Sequence, residues 1–166
     1  MINSFTGLYD FLSNFYMKSI LWDSILYPSA EHAYQATKTT DIGMRYWFSS
    51  DPGAYHSDDG VRLPVLTAEQ AKRKGKELPL RFNWGEFKVP SMFTILMIKF
   101  SDPLMGKLLL LTKEEELIEG NTWHDNFWGE CNCIKCADKK KHNNLGILLM
   151  EVRKQKQIEQ RLRKGV

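Results

Sequence analysis

Residues 123–130 read Trp-His-Asp-Asn-Phe-Trp-Gly-Glu, crowding two indoles, a phenyl ring and two carboxylates between an acidic, strand-like run and a loop that carries cysteines. Aromatic surface of that size must be covered, so a fold for this chain either lays the segment over a core or turns it toward a ligand. In a turn-rich segment, flat apolar faces beside carboxylates suit a ligand with a ring and a sugar. The rings stack while the acids handle protons or hydroxyls. The competing assignment is that Trp123, Phe127 and Trp128 plug a core beneath the loop.

At 166 residues the chain is expected to form a single domain over residues 1–166, long enough to bury about 70% of its unfolded surface without staples. A hydrophobic share of 43% and a charged share of 26% are ordinary for a soluble protein. No apolar run approaches the ~20 residues a membrane span requires, so no membrane partner is expected. Three cysteines make an odd number for a disulfide framework, and the amino-terminal residues lack the charged-then-apolar pattern of a secretory signal. A reducing, cytoplasmic setting is the expectation. The net charge of +3 is mild, but positive residues bunch at Lys139-Lys140-Lys141-His142 and between Arg153 and Lys164. That pattern suits a phosphate-bearing partner and equally a solvated lysine-rich face. The oligomeric state is left open.

The spacing of apolar and turn residues predicts an α+β fold, mostly helical, with a small antiparallel sheet near the N-terminus. Residues 2–27 read as extended pieces and turns, with two short strands about Trp22-Asp23-Ser24. A helix is expected from Ser29, its cap, through Lys38, with Glu31 in the first turn. Glu31, Gln35 and Lys38 then share one helix face. Residues 51–66, with Pro52, Gly53, Gly60 and Pro64, have the composition of a loop insertion. Thr67 and Gln70 form a capping box for a helix ending near Gly75 or Lys76. The next helix is placed from about Pro90, with Met92, Ile95, Leu96 and Phe100 as a core stripe. Asp102-Pro103 caps a short helix, residues 113–119 are expected to be a strand, and a long helix runs from Leu145 almost to Gly165.

Within residues 131–142, Cys131, Cys133 and Cys136 place three thiols in six residues. With His142 or His124 as a fourth ligand they could wrap a structural zinc, although the usual second paired-ligand half is missing. Otherwise no cofactor is required. The sequence has no phosphate-binding Gly-x-x-x-x-Gly-Lys-Ser/Thr loop, no Gly-x-Ser-x-Gly elbow and no His-Glu-x-x-His.

Six motifs occur in order across most of the chain: Phe11-Leu12-Ser13-Asn14-Phe15-Tyr16; Ser29-Ala30-Glu31-His32-Ala33-Tyr34-Gln35-Ala36-Thr37-Lys38; Asn83-Trp84; Lys99-Phe100; Asp125 with Trp128-Gly129; and Asn143-Asn144-Leu145-Gly146-Ile147-Leu148-Leu149-Met150. Together they resemble the NADAR superfamily, which includes YbiA-like proteins, N-glycosidases acting on riboflavin-pathway intermediates and hydrolases that remove ADP-ribose from guanine bases. The resemblance implies that Glu31 is the active-site acid, Asp125 a second acid, and Trp84 and Trp128 pocket walls. It implies ligand contacts at Asn14 and Phe15. Gln35, Lys38, Gly129 and Asn143 complete the expected substrate-binding set. Lys141, where many members have glycine, and the cysteine cluster depart from the common pattern.

Such a site would cleave the bond between ribose and a base, where an anion faces the positive anomeric carbon and a proton donor faces the departing nitrogen. Removal of ADP-ribose from guanine bases of nucleic acid is the leading expectation, with a phosphoribosyl small molecule of the riboflavin pathway as its alternative. A non-catalytic ADP-ribose-binding module and a zinc-stapled nucleic-acid-binding module are the readings from other classes.

Overall fold

The computed structural model describes residues 1–54, 63–163 and 165. Half of the expected insertion, residues 55–62, lies outside the described residues. On its flanks Pro52–Ala54 form a turn of 3-10 helix and residues 63–66 carry no regular structure. The fold is α+β, and its contacts divide into two compact units, Asn14–Lys99 and Met1–Ser13 with Phe100–Val166.

The Asn14–Lys99 unit starts with an antiparallel hairpin, β1 (Met17–Trp22) and β2 (Ile25–Ser29). Its two-residue turn is Asp23-Ser24, both in the left-handed region at φ 49° and 63°, which matches the right-handed twist of the flanking strands. Alternation puts Ile20, Ile25 and Tyr27 into the core, while Leu21 and Leu26 pair on the exposed face. The chain passes from β2 straight into α1 (Ala30–Ala36), whose seven residues are all buried. Ala30, Ala33 and Ala36 let the helix lie close to its neighbours, the hairpin, α2 (Ile42–Tyr46) and α3 (Ala68–Lys74). α3 begins at the expected capping box of Thr67 and Gln70.

Two expectations for residues 1–101 are corrected. Residues 7–12, placed among extended pieces, form a 3-10 helix. The helix placed from Pro90 begins at Trp84, so that α4 spans Trp84–Ser101 with Pro90 inside it. Proline within a helix removes one backbone bond and crowds the carbonyl four residues earlier, at a cost of about 3 kcal/mol. The helix survives because Met92, Ile95, Leu96 and Phe100 are all buried, and each large apolar side chain taken from water contributes about 1.5–3 kcal/mol.

The other unit holds α5 (Pro103–Leu111), capped by Asp102 Oδ1 on the amides of Leu104 and Met105, and α6 (Asn144–Arg163). The strand expected at 113–119 contracts to a single bridge between Ile2 and Leu117, followed by a two-residue strand, β3 (Gly120–Asn121), parallel to β4 (Glu130–Cys131). The reason is local: Lys113 sits at φ 52° and the Glu115 amide folds back onto the Thr112 carbonyl, a turn rather than a strand. Buried Arg153 of α6 holds that turn, donating from Nη1 to Thr112 Oγ1 and to the Glu115 carbonyl. Along α6 the buried residues end at Arg153. Among the described residues no helix is long and apolar enough to cross a membrane.

Asn143 joins this unit together. It stands at φ 46°, receives the Glu119 amide on Oδ1 at 3.0 Å and donates from Nδ2 to the Leu117 carbonyl at 2.8 Å. Asn143→Ala loses both bonds and leaves two backbone groups short of a partner. Chemical denaturation is expected to show a loss of about 2–4 kcal/mol, and an unchanged midpoint would refute the clamp.

Candidate active site

The site in the Asn14–Lys99 unit is built around α1. Glu31, in its first turn, is only 6% exposed. Its backbone amide donates to the Asn14 carbonyl at 2.9 Å, and its Oε1 accepts from Gln35 Nε2 at 2.7 Å. The i, i+4 spacing seen in the sequence therefore becomes a buried carboxylate–carboxamide pair. Asn14 and Gln35 are themselves 8% and 3% exposed. Asn14 Oδ1 and Gln35 Oε1 have no hydrogen-bond partner among the described residues. An unmet buried acceptor costs about 1–3 kcal/mol, so these two oxygens, on the two residues hydrogen-bonded to Glu31, suit a ligand that brings O–H or N–H donors.

Gly75, at the end of α3, makes room for this pair. A Cβ there would come within 1.9 Å of Gln35 Oε1. The sequence marked Gly75 only as a helix end, and its role is visible only once α1 and α3 pack together. Trp84, the first residue of α4, lies against Tyr34 one turn along α1 from Glu31, with ring centroids 5.5 Å apart at 45°. Phe15, 40% exposed, carries Lys72 Nζ at 5.7 Å from its ring centre.

Lys38 follows α1 and donates from Nζ to the Gly75 carbonyl. Burial lowers its pKa, the Glu31 carboxylate opposes that shift, and the neighbouring ammonium groups of Lys76 and Lys72 add to it. Two ammonium groups that disfavour the charge on Lys38 form with it a setting that an anion would relieve. Lys99 is fully buried, with Nζ 5.7 Å from the Tyr16 ring centre.

Ser29 occupies the expected cap position, yet its hydroxyl does not cap the backbone. It bonds His32 Nδ1 at 2.8 Å, while His32 Nε2 lies 2.8 Å from the Leu66 carbonyl. Because a carbonyl only accepts, Nε2 carries the proton and Nδ1 receives the Ser29 hydroxyl. Burial holds the His32 pKa below its ordinary value.

The remaining expected site residues belong to the other unit. Asp125 Oδ1 accepts the amides of Phe127 at 3.1 Å and Trp128 at 2.9 Å, a bracket that fixes the turn carrying the indole. The Asn121 carboxamide grips Asp125 from behind, donating to its carbonyl and accepting its amide. Phe127 and Trp128 meet edge to face at 5.0 Å, and Trp123 is 57% exposed. Gly129 is where the chain passes close to the Glu119 carbonyl, which a Cβ would approach to 2.1 Å. The Asn143 carboxamide is engaged by backbone at both ends.

The same unit gathers His124, Cys131, Cys133 and Cys136, whose ligand atoms all lie within 4.8 Å of one another, a set that could hold a metal ion. His124, not His142, is the nitrogen donor in this group. The His142 ring instead packs near Phe127 at 6.3 Å.

Fold and site together define an α+β protein with a buried, helix-borne carboxylate flanked by amides, an indole and lysines. The NADAR domain model matches residues 4–156, and the chain belongs to that family. It is similar to the N-glycosidase YbiA of Shigella flexneri serotype 5b (strain 8401), 31% identical over 151 residues, covering 91% of this chain and 84% of the relative. The N-glycosidase YbiA of Escherichia coli (strain K12) is 33% identical over 152 residues, with the same coverage. A riboflavin biosynthesis protein of Vibrio vulnificus (strain YJ016) is 33% identical over 149 residues, 89% of this chain but 35% of that longer protein. The NMR structure of Escherichia coli YbiA superposes with a TM-score of 0.72 at 30% identity, covering 96% of this chain and 89% of that one.

Two outcomes follow. Gly75→Ala drives the Gln35 carboxamide off Glu31, so denaturation should show a loss of about 1–2 kcal/mol in wild-type background and little in Gln35→Ala, a non-additivity that a double-mutant cycle reads directly. Burial lowers the His32 pKa in the fold, while the unfolded chain protonates near its ordinary 6.5. Stability is therefore complete above that pH and declines as pH falls below it toward the lowered folded value. Melting temperature recorded from pH 7.5 to 5 should fall less steeply in His32→Gln, and identical slopes would remove His32 from the account.

Proposed function

We propose that this chain is an N-glycosidase that hydrolyses the bond between a ribose and a base in a phosphorylated substrate. The observation that carries the reading is the buried Glu31 carboxylate, hydrogen-bonded to Gln35 and joined through its amide to Asn14, two residues that each keep an unmet carboxamide oxygen. Ribose hydroxyls are the donors such acceptors need, and an ionised Glu31 facing the sugar offsets the positive charge that develops at C1′. In the reaction water oxygen bonds to C1′, the C1′–N bond breaks with its electron pair going to the base nitrogen, and that nitrogen takes a proton. Glu31 either activates the water or holds a ribose hydroxyl, Trp84 offers a face for a ring, and Lys38 with Lys72 and Lys76 meets phosphate charge. Asp125 and Trp128 are the proposed second acid and second stacking wall. No cofactor enters this chemistry, and a cytoplasmic setting suits it.

Two substrates fit. The names of the N-glycosidase and riboflavin-biosynthesis relatives favour a phosphoribosyl intermediate of the riboflavin pathway. The lysines at 139–141 and the basic end of α6 favour ADP-ribose on guanine bases of nucleic acid.

Both substrates offered to wild type, Glu31→Gln and Asp125→Asn test the reading. Glu31→Gln should lower kcat by about 10²–10⁴-fold, the usual worth of a positioned acid or base. Asp125→Asn keeps an Oδ1 acceptor for the Phe127 and Trp128 amides while removing the charge. A large loss of kcat there assigns a second acid, and an unchanged kcat leaves Asp125 as the brace of the Trp128 turn. Wild-type turnover by Glu31→Gln on a cleaved substrate would overturn the catalytic assignment. Binding of ADP-ribose with no cleavage of either substrate would favour a reader.

A further inference from the structure

We propose that His124, Cys131, Cys133 and Cys136 form a closed, four-ligand structural zinc site that anchors the turn bearing Asp125 and Trp128. Four donors converge: Cys131 Sγ lies 3.3 Å from Cys133 Sγ, and His124 Nδ1 lies 3.2, 3.4 and 3.9 Å from the sulfurs of Cys133, Cys136 and Cys131. A tetrahedral ion with Zn–S bonds of about 2.3 Å and a Zn–N bond of about 2.0–2.1 Å sets its ligands some 3.5–3.8 Å apart, and all four donors here already lie within 4.8 Å of one another. Pairwise thiol hydrogen bonds explain two neighbours at a time, but not one nitrogen within 3.9 Å of three sulfurs. Three soft thiolates and an imidazole in such an arrangement select zinc over the oxygen-seeking cations. With all four positions filled by protein, no place remains for a reacting water, which makes the ion a staple and not a catalyst.

The local fold delivers the ligands from three places. Cys131 comes from β4, where it is fully buried. Cys133 and Cys136 bracket the 3-10 turn Ile134–Cys136, closed by the Cys136 amide on the Cys133 carbonyl at 3.0 Å. His124 stands at φ 69°, a left-handed conformation uncommon outside glycine. That strain sits one residue before Asp125, whose Oδ1 fixes the Phe127 and Trp128 amides. A metal bond to His124 would hold the entrance of the turn, while Asn126 Oδ1, accepting the Cys131 amide at 2.9 Å, ties its middle to β4. The spacing of three cysteines in six residues, incomplete as a zinc motif by itself, is completed from upstream by a histidine in the aromatic segment.

Elemental analysis of protein purified under reducing conditions should find about one zinc per chain. Cobalt exchanged into the site should give thiolate charge-transfer absorption with tetrahedral d–d bands. Cys136→Ser and His124→Ala should each weaken cobalt binding by at least about tenfold, while His142→Ala leaves it unchanged. After chelation, hydrogen exchange at the Phe127 and Trp128 amides should quicken and that of the buried half of α4 should not. The proposal is overturned if the reduced wild-type protein neither carries zinc nor takes up cobalt, if His142 rather than His124 proves essential, or if chelation leaves the two amides as protected as before. An oxidised Cys131–Cys133 pair would appear as two lost thiols in a titration without metal, and would also overturn it. These readouts do not depend on whether Glu31 cleaves a glycoside.

Discussion

The burial of a carboxylate on a helix hidden along its whole length governs the rest of the Asn14–Lys99 unit. A charge removed from water is tolerated only with compensating partners, and here Gln35 and Lys38 supply them. Gln35 comes from the next helical turn, the Asn14 carbonyl receives the Glu31 amide, and Lys38 adds charge from just past the helix. The alanines of α1 and the missing side chain of Gly75 are what let neighbours come near enough for this. Packing and polarity are therefore one constraint here. Enlarging Gly75 is a change in apolar volume whose effect is read on a hydrogen bond.

The other unit meets a different problem. With strands of only two residues, it has little ladder to organise residues 117–143. Side-chain carboxamides and carboxylates take over the work of a sheet: Asn143 spans Leu117 and Glu119, Asn121 grips Asp125, Asp125 collects two amides, and Asn126 ties to Cys131. Glycines at 120, 129 and 146 stand where backbone carbonyls come within about a bond length or two of an added Cβ. Such a network is specific in shape but depends on each member, which is the circumstance in which a metal staple is most useful.

Much of this was legible in the residues. The hairpin at Asp23-Ser24, the capping box at Thr67, the cap at Asp102 and the ends of α6 follow from local chemistry that needs no tertiary context. The shared face of Glu31 and Gln35 followed from helical spacing alone. What could not be read was set by packing: the Ser29 hydroxyl turned from the backbone to His32, Gly75 made room for a carboxamide, and Tyr34 became the partner of Trp84. The choice of His124 over His142 is of the same kind. Both are near the cysteines in sequence, and only the path of the turn selects between them.

Pro90 leaves one more mark on the molecule. A helix transmits displacement through its ladder of backbone bonds, and at this position the rung onto the Glu86 carbonyl has no donor. The opening turn that holds Trp84 is joined to the anchored remainder of α4 by one strut fewer than an unbroken helix would have. The Trp84 ring, packed against Tyr34, thus sits on the side of Pro90 with fewer struts to the rest of the rod.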